Sequence, residues 1–110
     1  MKKSGIFNSK ISSFVASMGH KDIITVVDMG YPIPKDVEFA DIVLDKGKPS
    51  FVETVEVILK ELAVEKIIIA EELEHKNINN YTEIMKLFQG IEIEKISHEL
   101  FKENAKMSKY

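Results

Sequence analysis

The chain has 110 residues, 15 Lys and Arg against 18 Asp and Glu, a net charge of −3, no cysteine and 45% hydrophobic residues. That length predicts one domain, 1–110, burying roughly 65% of the unfolded chain's surface. The mildly acidic balance lacks the basic stripe that a phosphate backbone requires, so nucleic acid is not an expected partner. Without cysteine there is neither a disulfide framework nor a thiolate metal site. No apolar run approaches the roughly 18 residues of a membrane span, and Met1-Lys2-Lys3 is followed by no signal-peptide core, so no membrane partner and a cytoplasmic location are expected.

Asn8 or Ser9 can cap a first helix whose apolar positions Ile11, Phe14, Val15 and Met18 fall on one face, with Gly19 as its stop. Ile23-Ile24-Thr25-Val26-Val27, a β-branched run between polar and Gly/Pro signals, predicts a buried strand. Ile42-Val43-Leu44 predicts a short strand ending in the Lys46-Gly47 turn. Ser50 and Glu53 form a capping box ahead of a helix with Phe51, Val55, Ile58, Leu59 and Leu62 on its apolar face. Lys66-Ile67-Ile68-Ile69-Ala70 reads as a strand covered on both faces.

From Leu73 the pattern loosens through Asn80. Ile84, Leu87 and Phe88 then support a helix stopped by Gly90. Ile91-Glu92-Ile93-Glu94 alternates as a strand with one exposed face does, which puts it near a sheet edge. Ser97 can cap a last helix containing His98, Leu100, Phe101 and Lys102, after which Asn104 to Tyr110 offers little further burial. Alternating helices and buried strands predict an α/β fold, a three-layer α/β/α sandwich with a largely parallel, mixed sheet.

His20 stands just before the first predicted strand and Asp28 at its carboxyl end, where open α/β sheets bind ligands. The stiff Gly30-Tyr31-Pro32-Ile33-Pro34 loop follows Asp28. Taken singly these residues have structural readings: His20 as a helix C-cap, Asp28 as a turn former, and His75, His98 and Lys102 as solvated side chains. Glu71-Glu72 has no nearby His spacing that completes a metal site, so no metal is assigned and the pair reads as a solvated loop or subunit contact. Phe14 and Phe51 read as core.

Several motifs together resemble the D-ribose pyranase family: Gly19-His20-x-Asp22, Asp28-x-Gly30-x-Pro32-Ile33-Pro34, Pro49-Ser50-Phe51, Ala70-Glu71-Glu72, His75-x-Asn77 and His98-Glu99-x-Phe101-Lys102. The Gly-x-Pro-Ile-Pro loop favours the ribose branch over the related fucose mutarotases. The resemblance implies an isomerase that interconverts the pyranose and furanose forms of D-ribose without a cofactor, in ribose uptake and catabolism. It also implies homo-oligomers, pentameric rings stacked in pairs as a decamer, with sugar sites between subunits. It makes His20 the acid–base residue and places Asp28, His98 and Lys102 on the sugar. An imidazole titrating near pH 6.5 suits both the loss of the anomeric proton and the protonation of the ring oxygen.

Met29 and Tyr31 replace the Ala and Leu common in that loop and are expected to reshape the pocket edge. Family members continue past the position of Tyr110 into a strand with a Gly-Glu and a Pro-Tyr-x-Asn motif. Its absence from this sequence predicts an open sheet edge and two fewer sugar contacts. The alternative reading is therefore a catalytically silent, truncated remnant that acts as a weak sugar-binding or assembly protein.

Overall fold

The computed structural model describes residues 1–110. Seven elements follow in order: α1 (Ser9–Ala16), α2 (Phe51–Leu59), β1 (Lys66–Ala70), α3 (Glu72–Lys76), α4 (Ile78–Leu87), β2 (Glu92–Ile96) and α5 (His98–Ala105). The fold is mixed α/β with a small parallel sheet of two strands, in which Lys66 pairs with Glu92 and Ala70 with Ile96. Parallel neighbours need a long crossover, and α3 and α4 supply it.

Local chemistry explains the helix starts. Asn8 caps α1 by accepting from the Ile11 N–H, 3.0 Å. At α2 the Glu53 N–H donates to Ser50 Oγ, 3.1 Å, and the Ser50 N–H donates to Glu53 Oε1, 3.2 Å, so two otherwise unpartnered backbone donors are satisfied reciprocally. Asn77 caps α4 through the Asn80 N–H, and Ser97 caps α5 through the Leu100 N–H. The region from Leu73 to Asn80 is thus helical where the apolar pattern suggested a loose stretch. The Asn77 cap, rather than an apolar stripe, starts α4, and Ile78 behind it is exposed.

Two apolar clusters hold these elements. Ile6, Ile11, Val15 and Ile58 form one, with Ile24, Val26, Ala40 and Ile42 packed against it. Val55, Ile84 and Phe88 form the other, with Val26, Phe51 and Ile67 around them. Val26 touches both, so the Ile23–Val27 segment is the seam of the core. Its backbone nevertheless joins no regular ladder. Its bonds run from the Lys109 N–H to the Ile23 carbonyl, 2.8 Å, and from the Thr25 N–H to the Tyr110 carbonyl, 2.9 Å. Ile42–Leu44 likewise forms no strand, its turn being closed by the Leu44 N–H on the Lys48 carbonyl, 2.8 Å.

Three expectations need correction. β1 is not fully covered: Ile69 is buried, whereas Ile67 on the same face and Ile68 on the other are half-buried, and with one laddered neighbour one of its edges is also open. The carboxyl-terminal segment is packed rather than idle. Ala105 and Ser108 are buried, the Tyr110 ring stacks on Phe14 with centroids 3.9 Å apart, and Ser108 hydrogen-bonds Thr25 through their hydroxyls. Phe14 is buried, as a core residue is expected to be, and Tyr110 covers its ring. Finally, a 12.5 kDa chain should expose about 6,200 Å² folded and about 18,100 Å² unfolded. The folded chain exposes 7813 Å², so it buries about 57% of its unfolded surface rather than 65%. Part of the excess is apolar: Leu44 is 83% and Phe7 66% exposed.

Candidate functional site

His20 sits on a tight turn between α1 and the Ile23–Val27 segment. The helix ends earlier than expected, with Ser17 rather than Gly19 as its cap, so His20 is not a helix-capping residue. The turn is closed twice: the Asp22 N–H donates to the Gly19 carbonyl, 3.2 Å, and the Gly19 N–H donates to Asp22 Oδ2, 2.7 Å. A Cβ at position 19 would lie 3.2 Å from that oxygen, which favours glycine there. Lys21, next to His20, has φ of 72°, a left-handed conformation that costs a non-glycine residue about 1–2 kcal/mol. The surrounding bonds hold it there.

Lys109 reinforces the turn from the far end of the chain. Its ammonium donates to the Ser17 carbonyl, 2.7 Å, and to Asp22 Oδ2, 3.2 Å. Above the turn, His20 Nδ1 lies 3.3 Å from Glu65 Oε1, both side chains being largely exposed. The Gly19 N–H first, and the Lys109 ammonium second, hold the Asp22 carboxyl below its ordinary value of 3.8. A depressed carboxyl adds stability that is present above 3.8 and is lost as pH falls through the folded value. Asp22→Asn is therefore expected to lower the melting temperature near neutral pH and to converge on wild type in acid. A melting series from pH 7 to 2 reads this, and an offset constant across that range would contradict it.

Asp28 is exposed at the other end of the Ile23–Val27 segment. Its carbonyl accepts from the Tyr31 N–H, 3.2 Å, closing a turn whose third residue, Gly30, has φ of 88°. Tyr31 then meets Phe101 of α5 edge to face, ring centroids 6.3 Å apart at 83°. Burial in this contact raises the Tyr31 phenol above its ordinary pKa. The contact fixes the Asp28 loop beside the helix that carries His98 and Lys102. These two are four residues apart on α5 and share a face. Ser97, Glu99, Leu100, Lys102 and Glu103 line a shallow depression along that helix. His98 sits at the first helical position, with its N–H directed at Glu72 Oε1, 3.4 Å away.

The Tyr31–Phe101 contact thus sets the Asp28 loop against the helix of His98 and Lys102, and His20 stands at the opposite end of the Ile23–Val27 segment from Asp28. No helix or turn interrupts residues 22–28, a stretch that spans at most about 20 Å when fully extended, and His20 lies on the turn before it.

Sequence reasoning missed Glu65 and Lys109. Neither lies in a motif, and each meets the His20 turn across a long sequence separation that no local pattern reports. Glu72, read as a solvated or contact residue, is half-buried, and its Oε2 has no hydrogen-bond partner. His75 is exposed, and no three His, Cys, Asp or Glu side chains converge as metal ligands would.

The RbsD / FucU transport protein family matches residues 1–110. The chain belongs to that family. It is 61% identical over 110 residues to the D-ribose pyranase of Petrotoga mobilis, covering all of this chain and 84% of that protein. It is 46% identical to the D-ribose pyranase of Thermotoga neapolitana, covering 96% of this chain and 82% of that protein. Its backbone matches Bacillus subtilis RbsD, solved in complex with D-ribose, with a TM-score of 0.95 and 42% identity over 99% of this chain and 83% of that one.

Proposed function

We propose that this chain is a D-ribose pyranase, an isomerase that interconverts the pyranose and furanose forms of D-ribose by acid–base ring opening and closure. The observation that carries this reading is the 0.95 structural match, across 99% of the chain, to a protein solved with D-ribose.

His20 takes the proton from the anomeric hydroxyl as the bond between C1 and the pyranose ring oxygen breaks. The C1 oxygen becomes the aldehyde, and the departing ring oxygen receives a proton. Closure then runs through the C4 hydroxyl: its oxygen attacks C1, its proton leaves, and the aldehyde oxygen is protonated. No proton is gained or lost overall, so one imidazole can give and take in turn, and no cofactor is needed. Asp28 accepts from sugar hydroxyls, while His98 and Lys102 donate to sugar oxygens from one face of α5.

The separation of His20 from the Asp28 side supports sites built between copies of the chain, His20 from one and Asp28, His98 and Lys102 from its neighbour. The exposed apolar side chains and the large surface for this mass support assembly as well. We take the assembly to be a homo-oligomer of pentameric rings, paired as a decamer. In it the Ile23–Val27 and Ile42–Leu44 segments count as further strands of a three-layer α/β/α sandwich. No helix is long and apolar enough to cross a membrane, and the reading places the protein in the cytoplasm.

The Asp28 loop, held on α5 by the Tyr31–Phe101 contact, has a fixed edge suited to an unbranched pentose. Exchange is therefore expected to be several-fold faster with ribose than with fucose, whose extra methyl-bearing carbon must be accommodated. Equal or faster exchange of fucose in a proton magnetisation-transfer assay would overturn the ribose assignment.

A further inference from the structure

We propose that Glu72 is a positioning residue for His98, seating the first residue of α5 on the end of β1 so that the imidazole starts from a fixed backbone. This rests on the reading of His98 as a sugar contact. The register of the sheet brings the two residues together. Ala70 pairs with Ile96, and the Glu71 N–H then donates to the Ile96 carbonyl, 2.7 Å. Glu72 and Ser97 follow on their two chains, and the His98 N–H donates to Glu72 Oε1, 3.4 Å.

The opening N–H groups of a helix have no partner within it. In α5, Ser97 Oγ accepts the one on Leu100, and the carboxylate of Glu72 accepts the one on His98. The Ser97 cap belongs to its own helix and shapes only the first turn. Glu72 reaches from another element, so its bond fixes where the helix stands. A negative group there also suits the positive end of the α5 dipole.

Burial separates this role from sugar binding. Glu72 Oε2 is shut off from solvent and has no hydrogen-bond partner. An oxygen that water cannot reach is closed to a sugar and to a neighbouring copy as well. Such a carboxylate is costly unless something within the protein offsets it, and the start of α5 is what Oε1 holds. The His98 side chain, by contrast, is exposed and open to a ligand. Three residues on, Phe101 meets Tyr31 of the Asp28 loop. His98 is thereby restrained on both sides, by Glu72 before it and by the loop contact after it.

Amide hydrogen exchange and ribose kinetics of the intact protein test this. The His98 amide is expected to exchange about tenfold faster in Glu72→Ala than in the unsubstituted protein, while the Leu100 amide, held by Ser97, is unchanged. Glu72→Ala should raise KM for ribose about fivefold with kcat within about twofold, because His98 binds the sugar and His20 moves the proton. Glu72→Gln, whose amide oxygen still accepts from the His98 N–H, should recover most of both. In a His98→Ala background, Glu72→Ala should raise KM by less than about twofold, since one residue acts through the other. An unchanged His98 amide in Glu72→Ala overturns the proposal, as does wild-type KM in that variant or a fivefold rise that persists without the imidazole. If the unsubstituted protein interconverts no ribose, the functional reading fails instead, and the amide rates alone still decide whether Glu72 seats His98.

Discussion

His20→Ala is expected to lower protein-dependent exchange of ribose ring forms by about 100-fold, the lower end of what a positioned acid–base group supplies. Ring opening without it leaves water to remove the anomeric proton and to protonate the ring oxygen. Binding should change much less, because the proposed contacts of Asp28, His98 and Lys102 with the sugar are kept. The fold should also survive. The His20 side chain is 70% exposed, and its one polar partner is the equally exposed Glu65, so the substitution is expected to shift stability by no more than about 0.5 kcal/mol. The decisive comparison is exchange at equal protein concentration with matched melting temperatures. Wild-type exchange in the variant would show that another group moves the proton.

The second large effect concerns where the halves of the site reside. His20 and Asp28 stand at opposite ends of the Ile23–Val27 segment, and the proposed site takes one of them from each of two copies of the chain. His20→Ala and Asp28→Ala proteins should each be nearly inactive alone. When the two are unfolded, mixed in equal amounts and refolded together, a site has one chance in two of drawing an intact His20 and one in two of drawing an intact Asp28. About one quarter of native activity should then return from two inactive parents. No recovery, with mixed oligomers confirmed by native mass spectrometry, would place both residues in the same subunit's site.

Much of the fold was legible because its determinants are local. The Ser50–Glu53 box, the Ser97 cap, the apolar stripe of Ile11, Phe14 and Val15 and the β-branched run at Ile67 act over one to four residues, and a linear reading finds them. The layering was less legible. Ile23–Val27 has the composition of a strand and packs at the seam of the core, yet its hydrogen bonds go to Lys109 and Tyr110. A strand's partner is a property of the whole chain and of its neighbours, and composition, which predicted a buried strand, reports neither that partner nor that the segment is only half-buried, with Ile23 exposed.

The same limit applied to the site. Motif spacing placed His98 and Lys102 on the expected helix, and His20 and Asp28 at the two ends of a segment that joins no ladder. It did not reveal that Lys21, beside His20, takes a left-handed conformation. Nor did it reveal that Tyr31, a departure from the family loop, meets Phe101 and so anchors that loop on α5. It gave no sign of Glu65 and Lys109, whose contacts with the His20 turn cross 45 and 87 residues of sequence.

The most direct test of the function is proton magnetisation transfer between the pyranose and furanose signals of D-ribose, at a temperature where spontaneous exchange is slow, with and without the protein. The account predicts exchange that rises in proportion to protein concentration and falls to near the spontaneous rate with His20→Ala. Exchange no faster with the folded, assembled protein than in buffer would contradict it.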